Sequence, residues 1–294
     1  MLKDLGDNKI SITTSNGAEI VGDFRYNKSN KGLIIVNGFT EERAVANFLA
    51  RHYKKHFKTW NFDLNSQGES TGNWNLEEMV ESFKEVQQVI KHNYGLDKLG
   101  MHGNSTGGIV TGLIANSENN LDAICLTGAP AALQDAFPHR LRSLLKRLPN
   151  SLIMWGAIKI YKWLSTQNGG EQEGDRVKKE KDHLKLGSAK LYDIKKTIQG
   201  VDIATRLDEN TQNINLPALI IYGGEDKTCG FKKGVAPHNI TQMYDAIKSA
   251  EKELKIYPGL NHRLYTSPQP TKNLPPKYHL VTDHLLAFFK KYLA

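Results

Sequence analysis

The stretch Lys98-Leu99-Gly100-Met101-His102-Gly103-Asn104-Ser105-Thr106-Gly107-Gly108-Ile109-Val110 decides the fold of this 294-residue chain. Residues 98–103 read as a short strand, and residues 105–115 as a small-residue-rich helix that follows with no linker. Gly103-Asn104-Ser105-Thr106-Gly107 fits the pattern G-x-S-x-G, in which a sharp strand-to-helix turn leaves no room for side chains on either side of the serine. Ser105 should then stand at the sheet's edge, with the N-terminus of the next helix behind it to stabilise negative charge.

The same alternation extends outward in both directions. Toward the N-terminus, residues 33–36 (Leu-Ile-Ile-Val) form an apolar run too short for a helix, which predicts a strand buried on both faces. Before it, two alternating segments, 9–14 and 18–26, flank Ser15-Asn16-Gly17, whose Asn-Gly pair suits the positive φ angles of a tight hairpin turn. A strand over 58–64 leads through a polar, turn-rich stretch to a helix marked by Leu76, Met79, Val80, Phe83, Val86, Val89 and Ile90, with Asn75 and Glu78 spaced for a capping box. Toward the C-terminus, strands are expected over 123–127, 218–222 and 253–257, and helices over 240–252 and 277–292, the last after a Pro-rich loop. Strands alternating with helices predict an α/β architecture, a mainly parallel central sheet with helices on both faces, whose ligands bind beyond the carboxyl ends of the strands. The alternation lapses between 131 and 215, so residues 1–130 and 216–294 form the expected core and 131–215 an inserted helical cap.

Composition narrows the class. Apolar residues at 39%, with 25 glycines, suffice for a full-sized core. Charged residues at 24% exclude a disordered chain, and two cysteines exclude a disulfide scaffold or a multi-cysteine zinc module. No run of 18 uncharged apolar residues occurs, so no transmembrane helix is expected. The start MLKDLGDNKI interrupts its apolar residues with charge, which argues against a secretory signal and for a cytoplasmic protein. Of the formal net charge of +8, residues 136–186 carry +6, from eleven Lys or Arg against five Asp or Glu. An inserted lid with a basic face meeting an anionic membrane surface would have this composition, and so would an ordinary helical subdomain with a solvated face. No recognised nucleic-acid module accompanies the charge, so no nucleic-acid partner is expected. Neither a metal-ligand cluster nor a phosphate-binding loop is present, so no metal and no cofactor is expected.

A serine needs a base to take its proton and a third group to orient that base. Gly68-Glu69-Ser70-Thr71-Gly72 also fits G-x-S-x-G, but Ser70 lies within a polar stretch with no strand directly before it and no helix directly after, which makes it a turn residue. Among ten histidines, His262 has the right place: Tyr257-Pro258-Gly259-Leu260-Asn261-His262 follows the last strand and precedes the last helix. His279 and His284 fall in the closing helix, His238 in a Pro-containing loop, and His102 is expected to pack against the sheet. The strand over 218–222 ends in Gly223-Gly224-Glu225-Asp226-Lys227, where either carboxylate could serve and an Asp after a glycine turn is also a common turn residue. The order serine, acid, histidine favours the functional reading.

Taken together, these landmarks resemble the α/β-hydrolase family over nearly the whole chain. Gly38-Phe39-Thr40 resembles the family's oxyanion loop, Asp63 through Gly68 to Ser70 its Asp-x-x-Gly-x-Gly-x-Ser stretch, and residues 257–262 its histidine loop. Residues 217–226 resemble its strand and acid turn, which selects Asp226 over Glu225. The resemblance implies the backbone N–H groups of Phe39 and Thr106 as oxyanion donors. Gly-Phe-Thr and Ser-x-Gly-Gly are similar to cinnamoyl and other small-substrate esterases, and the insertion resembles the lid of monoacylglycerol lipases. Asn37, Asn104 and Asn65 depart from the family, which commonly has His, His and Arg there.

The expected activity is that of a serine carboxylic-ester hydrolase on a small-molecule acyl ester, with Ser105 as nucleophile, His262 as general base and Asp226 orienting it. Thr40, Trp155 and Trp163 are the candidate substrate-pocket residues. Thioesterase, acyltransferase, serine aminopeptidase and cofactor-free haloperoxidase chemistry can use the same constellation, and a non-catalytic ligand-binding homologue is the alternative outside enzymes. Epoxide hydrolases and dehalogenases of this fold resemble it with Asp, not Ser, at the turn.

Overall fold

The computed structural model describes residues 1–38, 41–117, 120–131, 207, 210–231, 234–262, 264 and 276–294, with the backbone alone at 276–278. The strands are β1 (Leu2–Gly6), β2 (Lys9–Thr13), β3 (Glu19–Arg25), β4 (Lys31–Val36), β5 (Lys58–Phe62), β6 (Lys98–Asn104), β7 (Ala123–Thr127), β8 (Ala218–Gly223) and β9 (Lys252–Tyr257). The helices are α1 (Asn47–Tyr53), α2 (Leu76–Asn93), α3 (Thr106–Ala115), α4 (His238–Ala246) and α5 (Pro276–Tyr292). Among the described residues the strands form one sheet in the order β1-β2-β3-β5-β4-β6-β7-β8-β9. The pairings from β1 to β3 and on to β5 are antiparallel, and those from β5 across to β9 are parallel. This is the expected α/β-hydrolase architecture.

The solid apolar runs are explained by the two faces they serve. Ile34, Val36, Ile124, Leu126, Ile220 and Tyr222 join one core with Met79 and Phe83 of α2, Ile109 and Val110 of α3, and Ile240 and Met243 of α4. Their neighbours Leu33, Ile35, Ala123, Cys125, Leu219 and Ile221 join the opposite core with Leu49 and Tyr53 of α1 and Leu285 and Phe289 of α5. Alternate side chains of a strand point to opposite faces, so a strand covered on both must be apolar throughout.

Several local expectations are corrected. The tight two-residue turn lies between β1 and β2, where Asp7 (φ 49°) and Asn8 (φ 61°) take the left-handed conformation that such turns require. In the next hairpin only Gly17 (φ 83°) does so. There the Asn16 side chain accepts the Ala18 N–H and donates to Ser82 Oγ on α2, so Asn16 fastens the hairpin to the helix. Strand β1 was not expected because it is a mostly exposed edge strand with no buried face. The capping box at α2 is half made: the Asn75 side chain accepts the Glu77 N–H, while Glu78 binds the Asn73 side chain instead of reaching back to Asn75. Helix α1 and the 3₁₀ turn Arg43–Ala46 before it were not anticipated.

Helix α4 stops at Ala246, short of the expected 252. Lys252 Nζ donates to the carbonyls of Tyr244, Asp245 and Ile247, closing the helix end with a cation, and buried Ile247 turns to an extended conformation. Strands β7 and β8 are neighbours, so the long segment between them joins adjacent parallel strands. The expected cap, including Trp155 and Trp163, lies outside the described residues, apart from its ends and Leu207. Among the described residues no helix is long and apolar enough to cross a membrane.

Candidate active site

The chain places β5 on one side of β4 and then crosses to lay β6 on the other. Beyond the carboxyl ends of β4 and β6 the connections therefore diverge, which is the position where ligands of such sheets bind. Val36 pairs with Gly103 in this register, which brings the loop after β4 beside Ser105.

Ser105 has φ 51° and ψ −118°, a conformation L-residues rarely adopt and one that costs on the order of 1 to 3 kcal/mol. The surrounding packing enforces it. A Cβ on Gly107 would sit 2.3 Å from the Val36 carbonyl oxygen, and one on Gly103 would sit 2.2 Å from that of Gly107, so β4, β6 and α3 approach only because both residues are glycine. The Ser105 N–H donates to the Thr127 carbonyl at 2.8 Å, fixing the turn to β7. Thr106 opens α3, and the first amides of a helix have no carbonyl partner within it.

His262 follows β9 and Asp226 follows β8. His262 Nε2 lies 3.0 Å from Ser105 Oγ, and its Nδ1 lies 2.8 Å from Asp226 Oδ2. Asp226 is fully buried, and its Oδ1 accepts the Cys229 N–H at 2.9 Å. The two loops are tied by main chain, since the N–H groups of Gly224 and Glu225 donate to the carbonyls of Tyr257 and Leu260. Glu225, the other candidate carboxylate, is exposed.

The remaining sequence candidates separate clearly. Ser70 is buried 7% exposed, with its Oγ donating to the Asp63 carbonyl and accepting the Val21 N–H, both at 2.9 Å: a loop brace, as the turn reading expects. His102 is fully buried between Tyr53 and Thr127, and burial depresses its pKa to about 3. His279 is exposed on α5, His284 binds Tyr257 and Glu253, and His238 opens α4 instead of lying in a loop. Phe39 and Thr40, the oxyanion and pocket candidates after β4, lie outside the described residues.

Two further residues, Cys229 and Glu41, stand beside His262 and the serine turn. Cys229 Sγ stands 3.8 Å from His262 Nδ1 and donates to the Gly128 carbonyl, and burial, reinforced by Asp226, holds its thiol pKa well above the usual value. Asp226, Cys229 and His262 are, among the described residues, the grouping whose donor atoms could hold a metal, within 4.8 Å of one another, but these are the atoms already engaged with Ser105 and with each other. Glu41 Oε2 accepts from the Gly38 N–H and from Asn104 Nδ2, both at 3.0 Å. Its only sequence signal is a carboxylate three residues beyond Gly38.

Next to Glu41, the loop after β4 is anchored by Arg43. Its backbone N–H donates to Asp63 Oδ1, and its guanidinium binds Asp63, Asp23 and Glu69, which together raise its pKa despite partial burial. Burial raises the pKa of Asp63, with Arg43 opposing that rise.

The profile of the hydrolase family described as serine aminopeptidase, S33, matches residues 27–269. No curated protein matches the chain. Among solved structures it is similar to an esterase of Pyrococcus furiosus, 15% identical over 100% of this chain and 92% of that one, with a TM-score of 0.64. It is similar also to an esterase from Exiguobacterium antarcticum, 16% identical over 95% of this chain and 98% of that one, with a TM-score of 0.68. A hydrolase from Pseudomonas aeruginosa is 17% identical over 97% of this chain and 99% of its own, with a TM-score of 0.70. These likenesses establish the shared fold, and the profile match across most of the sequence establishes the family: the chain belongs to the serine aminopeptidase S33 family of α/β-hydrolases.

Proposed function

We propose that the protein hydrolyses carboxylic esters through an acyl-enzyme on Ser105. The observation that carries this reading is the position of His262, with Nε2 3.0 Å from Ser105 Oγ and Nδ1 2.8 Å from the buried Asp226 carboxylate. In that arrangement His262 takes the serine proton as Oγ bonds to the acyl carbon, and it returns the proton to the departing alkoxide. Water then attacks the acyl-enzyme, giving its proton to His262, which passes it to Ser105 as the acid leaves. Asp226 keeps the ring oriented and stabilises its protonated form. The amides of Thr106 and, by resemblance, Phe39 would hold the oxyanion, each such donor contributing about 2.7 to 4 kcal/mol in the transition state.

The esterase names of the solved neighbours favour ester over amide substrates, and the family description supplies the second reading, an aminopeptidase on the same three residues. Fluorophosphonate labelling with mapping of the adduct tests the nucleophile. Rates on p-nitrophenyl esters of graded chain length, beside aminoacyl p-nitroanilides, test the substrate class. Ester turnover with negligible anilide turnover is expected, and faster anilide turnover would replace the ester reading with the peptidase one.

A further inference from the structure

Glu41 stands beside the serine turn, and one of its oxygens receives two hydrogen bonds from different segments. Oε2 accepts the N–H of Gly38, two residues beyond β4, and an Nδ2 N–H of Asn104, the residue before Ser105. Gly38 is also in contact range of the serine, since a Cβ there would lie 2.9 Å from Ser105 Cβ and 3.1 Å from Glu41 Oε2. A carboxylate oxygen can only accept, which settles the orientation of the Asn104 amide: Nδ2 faces Glu41 and Oδ1 faces inward. The donor for Oδ1 is the Thr127 hydroxyl at 3.1 Å, closer than its other acceptor, the Gly103 carbonyl, at 3.3 Å. With its proton so directed, Thr127 Oγ1 accepts from His102 Nε2 at 3.0 Å, and His102 Nδ1 accepts from the Tyr53 hydroxyl at 3.2 Å. Burial keeps His102 neutral, so its ring has one donor and one acceptor to fill these two roles.

We infer that Glu41 is a positioning residue for the reaction: its Oε2 clamps Gly38 to the serine turn and fixes the polarity of the hydrogen-bond chain that runs from Asn104 to Tyr53. The inference rests on Ser105 being the nucleophile. It accounts for Asn104, where the family commonly has His, because an amide can donate to a carboxylate on one side and accept from a hydroxyl on the other. The amides that hold an oxyanion work only at a fixed distance from the nucleophile, and misplacement by about 1 Å can cost on the order of 100-fold in rate. Because both bonds end on one oxygen, the carbonyl oxygen of a glutamine can replace it.

The test compares Glu41→Ala, Glu41→Gln, Asn104→Ala and the Glu41→Ala/Asn104→Ala double variant. The measurements are kcat and KM on p-nitrophenyl acetate, the fluorophosphonate labelling rate of Ser105, and melting temperature. Glu41→Ala is expected to lower kcat and the labelling rate by at least about tenfold, with KM changing less than about threefold. Glu41→Gln should restore most of that rate, and the double variant should lose no more than the weaker single one. A Glu41→Ala rate within twofold of wild type overturns the clamp, as does a Glu41→Gln loss equal to that of Ala, which would assign the effect to charge. Multiplying losses in the double variant also overturn it. Should Asn104→Ala fail to fold, the Ala and Gln variants of Glu41 still decide the matter. A wild-type protein unlabelled at Ser105 sinks the hydrolase reading and this inference together, whereas a labelled wild type with an unaffected Glu41→Ala sinks the clamp alone.

Discussion

The fully buried Asp226 places its Oδ2 2.8 Å from Nδ1 of the half-buried His262, and the adjacent Glu225 is exposed at the surface. The same tight turn after β8 thus sends two neighbouring carboxylates to opposite environments. Asp226→Asn should therefore lower kcat by on the order of 10⁴, because an amide there no longer holds the ring in the required tautomer. Glu225→Gln should leave kcat within about twofold, as surface substitutions usually do. Steady-state rates of the two variants on one p-nitrophenyl ester decide between them, and comparable losses would refute the assignment.

The two serines of the repeated G-x-S-x-G pattern should fail in different ways. Ser105→Ala is expected to lower kcat by about 10⁴ to 10⁶ with the melting temperature nearly unchanged. Ser70→Ala removes a buried hydroxyl that joins Asp63 and Val21, so it should cost about 1 to 3 kcal/mol of stability while most activity remains. Urea unfolding beside ester kinetics separates them, and a probe adduct mapped to Ser70 would reverse the two roles.

His102 predicts a pH dependence of stability. Its folded pKa, about 3, lies below the ordinary value of 6.5, so between these limits the unfolded chain binds a proton that the folded chain does not. Stability from this source is complete above about pH 6.5 and declines as pH falls, by up to about 1.4 kcal/mol per pH unit. A His102→Gln variant lacks the titrating group, so its deficit relative to wild type should shrink between pH 7 and pH 5. Denaturant melts at three pH values measure this, and a pH-independent deficit would show that His102 does not change its protonation on unfolding.

Arg43 should matter through what it leaves behind. Arg43→Ala abandons the fully buried Asp63 side chain without its cation, a loss of about 3 to 5 kcal/mol. Burial then raises the Asp63 pKa against only the backbone N–H groups of residue 43 and Glu69, so the folded state takes up a proton more readily than the wild-type fold does. The deficit should accordingly be smaller at pH 5 than at pH 8, and adding Asp63→Asn should recover part of it. Equal melting temperatures for the single and double variants at both pH values would contradict this account.

Much of this molecule follows from local sequence. Period-free apolar runs such as residues 33–36 specify strands covered on both faces, glycines flanking Ser105 specify a turn too tight for any side chain, and the order of Ser105, Asp226 and His262 follows the order of the strands that carry them. These are short-range constraints of sterics and burial, so they are legible in the chain itself. Composition leaves Asp226 and Glu225 open, because both follow the same strand, and the family resemblance selects Asp226; the packing of the loops after β8 and β9 is what buries it against His262. Glu41 and Cys229 carry no motif, since their place beside the serine and the histidine arises from contacts across 63 and 33 residues of sequence. The end of α4 is likewise long-range in origin, set by the Lys252 ammonium on its last carbonyls. A hydrogen bond between distant residues depends on where the sheet's crossovers bring their loops, and that is a property of the assembled sheet, not of any segment in it.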